Sequence, residues 1–530
     1  MRAITVALAL GLAHALAFNV GAWGPWLQLL CLAGLTMLTL GAARDAARPS
    51  RVAALVAFAF GLSSFGAGIG WLFISMNRYG GLPAPLAALA VLLLAGYLAA
   101  FGAAAFGLAT KLGAIATSRL DRSASTAHAL GSALLLAACW SLFEISRGWL
   151  LTGFPWLAIG YAQVDGPLAG AARLVGVYGL GGLAMLAAAG AGYGGALLRE
   201  RRHRSAARVI LACAAPAALA AIAGATIAPS QGTESLRLRL LQGNVPQQMK
   251  FDRARSLQAM RDYTDDALAA SADLTILPET AWTVPWSATP ASVAEALRRH
   301  LDVDGGLLAI GMPLVRDAPQ GRRYTNSVGV IDARGRIVAR YDKRHLVPFG
   351  EFIPTGAGWF VRMMNIPLGD FGRGARSQPL LAIGQSHVAF NICYEDLFGE
   401  ELAVQVRDGA NLLINVSNIA WFGDSHALTQ HLNISRMRAI ELGRPIVRAT
   451  NTGVTAVIGT DGSTLARLPN LQRGVLAIEV AGASGLTPYA RWPRTSAALL
   501  IASMLVAGLW LTRRAAGCGR KLRGSRVRTG

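Results

Sequence analysis

The chain has 530 residues, 53% of them hydrophobic and 15% charged, with 50 Lys and Arg against 29 Asp and Glu for a net charge of +21. That length is too great for one ordinary domain, and an apolar, charge-poor composition points to the membrane. The basic excess lies in short connectors and the C-terminal tail, with no basic stripe interleaved with aromatics, so a nucleic-acid partner is not expected.

Seven apolar runs come first, at 3–18, 25–43, 52–74, 83–109, 127–148, 165–198 and 206–228, and an eighth lies at 495–512. Most approach the ~20 residues a helix needs to cross a bilayer. They are dense in small residues, as at Ala189-Gly190-Ala191-Gly192, which lets helices pack closely in lipid. Basic residues crowd alternate connectors: Arg44, Arg48 and Arg51; then Lys111, Arg119 and Arg122; then Arg199, Arg201, Arg202, Arg204 and Arg208; then the tail from Arg513 to Arg528. The connectors between them are nearly bare. This positive-inside pattern puts both termini in the cytoplasm and the long stretch after residue 228 outside it, in the periplasm of a bacterium with two membranes. Arg2, the first run and Ala15-Leu16-Ala17 also read as a signal peptide; a retained first span is the expectation. The domains are then 1–228, a seven-helix transmembrane region; 229–493, a periplasmic domain; 494–512, a last transmembrane helix; and 513–530, a basic cytoplasmic tail expected to be disordered.

Within 229–493 the texture changes. Strands are expected at Leu236–Gln242, Leu274–Leu277, Leu307–Ile310, Ser327–Ile331, Ile337–Tyr341, His387–Ile392, Leu412–Val416, Ile446–Ala449, Thr455–Ile458 and Val475–Val480. Helices are expected at 252–270, 291–302, 396–408 and 425–442, which makes the domain a layered α/β structure. The segment 355–375 mixes glycines with Trp359, Phe360, Met363 and Met364 without strand alternation. It reads either as a loop packed on the core or as an arm that touches lipid.

Of five cysteines, only Cys393 lies in this soluble stretch. With no local disulfide partner, it is either inert core or a nucleophile. Three segments favour the nucleophile. Thr275-Ile276-Leu277-Pro278-Glu279 carries a strand into a carboxylate. Tyr341-Asp342-Lys343 ends another strand on a lysine. Asn391-Ile392-Cys393-Tyr394-Glu395 ends a third on the thiol. Each group alone is more often an ordinary surface or core residue. Their joint occurrence at strand ends, in the order Glu, Lys, Cys, is far more specific.

On these residues the sequence resembles the nitrilase superfamily, whose members use a Glu–Lys–Cys triad. With its membrane spans, the whole chain is similar to the apolipoprotein N-acyltransferase family. Further marks are Leu241-Gln242-Gly243-Asn244-Val245-Pro246-Gln247, Lys343-Arg344-His345-Leu346-Val347-Pro348-Phe349-Gly350-Glu351, Asn418-Ile419-Ala420-Trp421-Phe422 and Thr152-Gly153-Phe154-Pro155-Trp156. Phe251 departs from an expected Trp, and Ile419 from a commoner polar residue. The resemblance implies an eight-span helical bundle joined to a nitrilase-like αββα sandwich.

It also implies a ping-pong reaction in the inner membrane. Glu279 takes the Cys393 proton, the thiolate attacks a phospholipid ester, and Lys343 with the Tyr394 backbone N–H holds the oxyanion. The acyl chain then passes from the thioester to the α-amine of a diacylglyceryl-cysteine apolipoprotein. Supporting roles fall to Glu351, Tyr394 and Glu395. Lipid contacts fall to Trp421, Gly153, Trp156, Trp359, Phe360 and Met363. The expected partners are phospholipid donor, lipoprotein acceptor and membrane lipid, with no cofactor, no metal and a monomeric enzyme. His426 and His431 lie five positions apart rather than four, so they do not form a zincin pair, and no G-x-S-x-G elbow is present. Two rivals remain: a membrane-anchored amidase using the same triad, and a transporter or scaffold in which Glu144 and Arg147 would line a path.

Overall fold

The computed structural model describes residues 1–114, 125–247, 252–318, 321–354, 356, 358 and 371–526. It divides into two compact units: Met1–Gly70 with Ala88–Ile227 and Trp492–Gly530, and Trp71–Ala87 with Ala228–Arg491.

In the first unit, seven of the described helices are long and apolar enough to cross a membrane: Gly21–Ala43, Pro49–Gly68, Ala84–Gly113, Thr126–Arg147, Ala169–Arg199, His203–Ala225 and Pro493–Ala515. The run expected as the first of eight spans is a 15-residue helix, Arg2–Leu16. At 1.5 Å per residue it falls short of the ~30 Å hydrocarbon layer. Small residues set the packing, as the sequence suggested: a Cβ on Gly190 would lie 2.3 Å from Cys213 Cβ on the neighbouring helix. The helix that starts at Pro493 continues to Arg526.

Among its described residues the second unit holds twelve strands: β1 Ser230–Gln242, β2 Leu274–Ile276, β3 Leu307–Ala318, β4 Gly321–Ile331, β5 Ile337–Asp342, β6 Leu381–Ile383, β7 Ser386–Ile392, β8 Leu412–Ser417, β9 Ile446–Thr450, β10 Ala456–Ile458, β11 Thr464–Arg467 and β12 Gly474–Ser484. They form two six-stranded sheets, ordered β12-β1-β2-β3-β4-β5 and β11-β10-β9-β8-β7-β6. Strands β1, β2 and β3 run parallel, as do β7, β8 and β9; the outer pairs are antiparallel. The sheets pack face to face through Leu238, Leu240, Ile276, Val328, Val388, Phe390, Ile414 and Val447. Alternate residues point the other way, onto helices. Leu241, Leu277 and Ile310 meet the helices Arg253–Leu268 and Ala291–Asp304. Ala389, Leu413 and Ile446 meet Gly399–Arg407 and Ala427–Leu442. The result is the four-layer αββα sandwich that the resemblance implied.

The expected strands are all present, several of them longer. The longest extension is that of β3 and β4, which stay paired out to Asp317↔Arg322 and Ala318↔Gly321. Strands β6 and β11 were not expected, being short edge strands with little apolar alternation.

The segment Trp71–Ala87 groups with the sandwich, although the sequence reading placed it wholly in the transmembrane region. Its partners explain this. Trp71 donates its indole N–H to Gln430 Oε1 at 3.1 Å, and its ring lies 4.3 Å from that of Phe422.

One glycine ties the sheet to the site. A Cβ on Gly311 of β3 would lie 2.3 Å from the Pro278 carbonyl oxygen and 2.6 Å from Glu279 Cα. Gly311→Ala is therefore expected to push the Glu279 turn off the sheet and cost about 1–3 kcal/mol of stability. Thermal unfolding in detergent checks this, and an unchanged melting temperature would show that the turn yields freely.

Candidate active site

Parallel strands deliver the reactive groups to one end of each sheet, where open α/β sheets commonly bind ligands. The chain leaves β2 through Leu277-Pro278 into Glu279, and Thr280 follows at φ 53°. It leaves β5 directly into Lys343, whose backbone N–H donates to Asn326 O across the β4–β5 pair at 2.8 Å. It leaves β7 at Cys393, the first residue of a short 3₁₀ turn, Cys393–Leu397.

Lys343 is 1% exposed. A buried ammonium needs compensating charge. Its Nζ donates to Glu279 Oε1 at 3.1 Å and Glu351 Oε1 at 2.9 Å. Burial alone would lower the lysine, but Glu279 and then Glu351 outweigh it and hold the ammonium above its ordinary value. It stays charged.

Asn326 joins the two carboxylates, its Nδ2 lying 2.7 Å from Glu279 Oε1 and 2.6 Å from Glu351 Oε1. The other oxygen of Glu279 accepts the Asn418 backbone N–H at 2.8 Å, and that of Glu351 accepts the Val347 N–H at 2.8 Å. Glu279 and Glu351 are thus held through both oxygens.

Cys393 is partly exposed and a free thiol. Burial of its surroundings, then the Glu279 charge, push the thiol well above its ordinary range. Lys343 opposes them, and Glu351 adds to the rise. The thiol is therefore protonated at rest and needs a base. Glu279, Lys343 and Cys393 thus lie within electrostatic reach of one another.

Glu395 links the loops. It accepts the backbone N–H groups of Ile392, Arg344 and His345 at 2.7, 2.7 and 3.1 Å and the Tyr341 hydroxyl at 2.9 Å. The lysine loop and the cysteine turn are bound to one carboxylate. Tyr394 is buried, its ring against His345 and Phe398.

The expected lipid contacts are not drawn together. Trp421 is half-buried in the sandwich unit, its ring edge-on to Tyr79 at 5.9 Å. Gly153 and Trp156 belong to the other unit. Gly153 makes a tight turn at φ 84°, where a Cβ would strike Gly148 O. Trp156, expected at the interface, is buried at 3% exposure because its ring stacks on Phe154 and its carbonyl accepts from Arg147 at 2.7 Å. Arg147 also holds the Phe154 carbonyl, and Glu144 accepts the Ile159 N–H at 2.9 Å. This pair pins the loop 148–159. Trp359, Phe360, Met363 and Phe251 lie outside the described residues.

Asn326, the Asn418 N–H and His431 were missed as site groups. Asn326 sits mid-strand, and only the pairing of β4 with β5 brings it beside Lys343. No local motif marks it.

The sandwich is a nitrilase-superfamily domain, and residues 237–488 match the carbon-nitrogen hydrolase family. Residues 10–190 match the apolipoprotein N-acyltransferase N-terminal domain. The apolipoprotein N-acyltransferase of Ralstonia nicotianae is 45% identical over 97% of this chain and 94% of its own. That of Bordetella bronchiseptica is 43% identical over 94% of this chain and 95% of its own. A crystallised amidase from Nesterenkonia sp. is 20% identical, with a TM-score of 0.35, over 49% of this chain and 94% of that one. The chain belongs to the apolipoprotein N-acyltransferase family, a multi-pass membrane protein family with a nitrilase-type domain. That membership sets aside the amidase and transporter readings.

Two outcomes follow from the hydrogen bonds. Asn326→Leu strips a shared donor from two buried carboxylates and is expected to cost about 2 kcal/mol, read by thermal unfolding, with loss of activity. Unchanged stability and activity would remove Asn326 from the site. Burial pushes Glu395 up to about 7 from 4.5, outweighing the donors around it. The folded state thus holds that proton more tightly than the unfolded chain. Its stabilising contribution is complete below about 4.5 and is lost as pH rises through 7. Glu395→Gln should flatten that part of the pH dependence of melting; an identical profile would rule the carboxyl out as its source.

Proposed function

We propose that this protein moves an acyl chain from a phospholipid to the N-terminal α-amine of a diacylglyceryl-cysteine lipoprotein, with Cys393 as nucleophile, Glu279 as base and Lys343 as oxyanion donor. The observation that carries this reading is Lys343 buried between Glu279 and Glu351, with the protonated Cys393 thiol inside their field.

Glu279 takes the thiol proton, and sulfur attacks the ester carbonyl carbon. The carbonyl oxygen becomes negative and is held by Lys343 and the Tyr394 N–H. The C–O bond to glycerol breaks, Glu279 returns the proton to that oxygen, and lysophospholipid leaves. The α-amine then attacks the thioester carbon and Glu279 accepts its proton. The C–S bond breaks, and the proton passes to sulfur, regenerating the thiol. A thioester yields to an amine more readily than an oxygen ester does, so the second half-reaction runs downhill.

Glu351 positions Lys343, and Glu395 joins the loops that carry Lys343 and Cys393. The sandwich lies on the periplasmic side with both termini cytoplasmic, a placement supported by the alternation of basic connectors. The chain works as a monomer.

Incubation with phospholipid alone is expected to give an acylated Cys393 peptide, found by mass spectrometry and cleaved by hydroxylamine. Cys393→Ala is expected to abolish transfer, and Cys393→Ser nearly to do so. Normal triacylation of a lipoprotein substrate by the Cys393→Ala enzyme would reject the mechanism.

A further inference from the structure

A buried polar chain behind the nucleophile plays no part in the reaction scheme. Cys393 stands at φ 52°, a left-handed conformation that a residue with a Cβ keeps only when its surroundings impose it. Two side chains meet its carbonyl oxygen: His431 Nε2 at 3.2 Å and Asn415 Nδ2 at 3.4 Å. Both side chains are 1% exposed or less, His431 on the helix Ala427–Leu442 and Asn415 on β8.

The histidine's tautomer follows from its other neighbour. Arg448 Nη2 lies 3.1 Å from His431 Nδ1. A guanidinium only donates, so Nδ1 carries the lone pair and Nε2 the hydrogen. Burial, then the Arg448 charge, keeps the imidazole neutral. Arg448 is itself fixed by Asp396 Oδ2 at 2.7 Å and by Ser435. Asp396 Oδ2 is 3.9 Å from His431 Nε2, beyond hydrogen-bond reach. His431 Nε2–H therefore donates to the Cys393 carbonyl.

We infer that His431 is a positioning residue that latches the Cys393–Tyr394 peptide, aiming and strengthening the Tyr394 N–H as an oxyanion donor while taking no part in activating the thiol. The peptide unit is planar, so holding its oxygen sets the direction of its N–H. A donor on that oxygen also polarises the amide and makes its N–H a stronger donor. His431, which has no metal-pair spacing with His426, thus has a place beside the reaction. The inference deepens the proposed function and rests on Cys393 being its nucleophile.

The test compares two reactions of one sulfur in the full-length protein in detergent. Acylation by phospholipid passes through an oxyanion. Alkylation by iodoacetamide displaces iodide at a saturated carbon and does not. Both are followed by mass spectrometry of the Cys393 peptide. For His431→Leu, acylation is expected to slow about 100-fold while alkylation keeps the wild-type rate. His431→Gln, whose amide can accept from Arg448 and donate to the carbonyl, should recover most of the loss. Should His431→Leu not fold, His431→Met, which likewise has no donor, replaces it. Equal loss of both reactions, undiminished acylation, or a Gln variant no better than Leu overturns the inference. Acylation of lipoprotein by Cys393→Ala overturns instead the reading beneath it, so the two failures are distinct.

Discussion

The sandwich is organised around one buried ammonium. Lys343 has almost no contact with water, and its charge is balanced by Glu279 and Glu351 at hydrogen-bond distance. Removing one member of such a group typically costs about 3–5 kcal/mol, because the charge left behind is buried and uncompensated. Two carboxylates against one ammonium leave an excess negative charge, which the Asn326 amide and the Asn418 and Val347 N–H groups disperse. Burial first, and then the Glu279 charge, keep the neighbouring thiol protonated at rest. In the proposed reaction, a protonated thiol near Glu279 does not react indiscriminately, and its proton has somewhere to go when a carbonyl arrives.

The position of this cluster is over-determined by the sheets. Glu279 and Lys343 come from the sheet that contains β2 and β5, and Cys393 from the other. Face-to-face packing of the sheets alone would leave the loops free to drift. Glu395 prevents that by accepting from Arg344, His345 and Tyr341 on one side and Ile392 on the other. Behind the nucleophile, Asp396, Arg448 and His431 extend the same polar scaffold inward. Such a network is costly when half satisfied and rigid when complete. Here most of its members are paired, while Asp396 Oδ1 and Arg448 Nε are buried without a hydrogen-bond partner.

The helical unit follows a different logic. No hydrophobic drive holds helices together in lipid, so close contact at small residues does the work, as where Gly190 meets Cys213. Its buried ion pair, Glu144 with Arg147, pins the loop that contains Phe154, Trp156 and Ile159 rather than lining a route for solute.

Much of this was legible in the chain itself. Spans are set by the length of apolar runs, and the layered domain by alternating strands and amphipathic helices. Glu279, Lys343 and Cys393 could be picked out because each closes a recognisable strand, so position along the chain already encodes position at the sheet edge. Glu351 and Glu395 lie within eight residues of those groups and share their local signal. Asn326 carries no such mark, and Asn418, though it opens a family motif, does so without revealing its contact with Glu279. They reach Glu279 from 47 and 139 positions away, and only strand pairing and sheet packing bring them there. The same holds for His431, whose partners Cys393 and Arg448 lie 38 and 17 positions off, one on the turn after β7 and the other on β9. It holds for Trp71, drawn to the sandwich by Phe422 and Gln430. Sequence alone determined which groups could react, because chemistry belongs to side chains and strand ends to local pattern. Tertiary structure decided which neighbours hold, charge and orient them, because those contacts exist only once distant segments are packed.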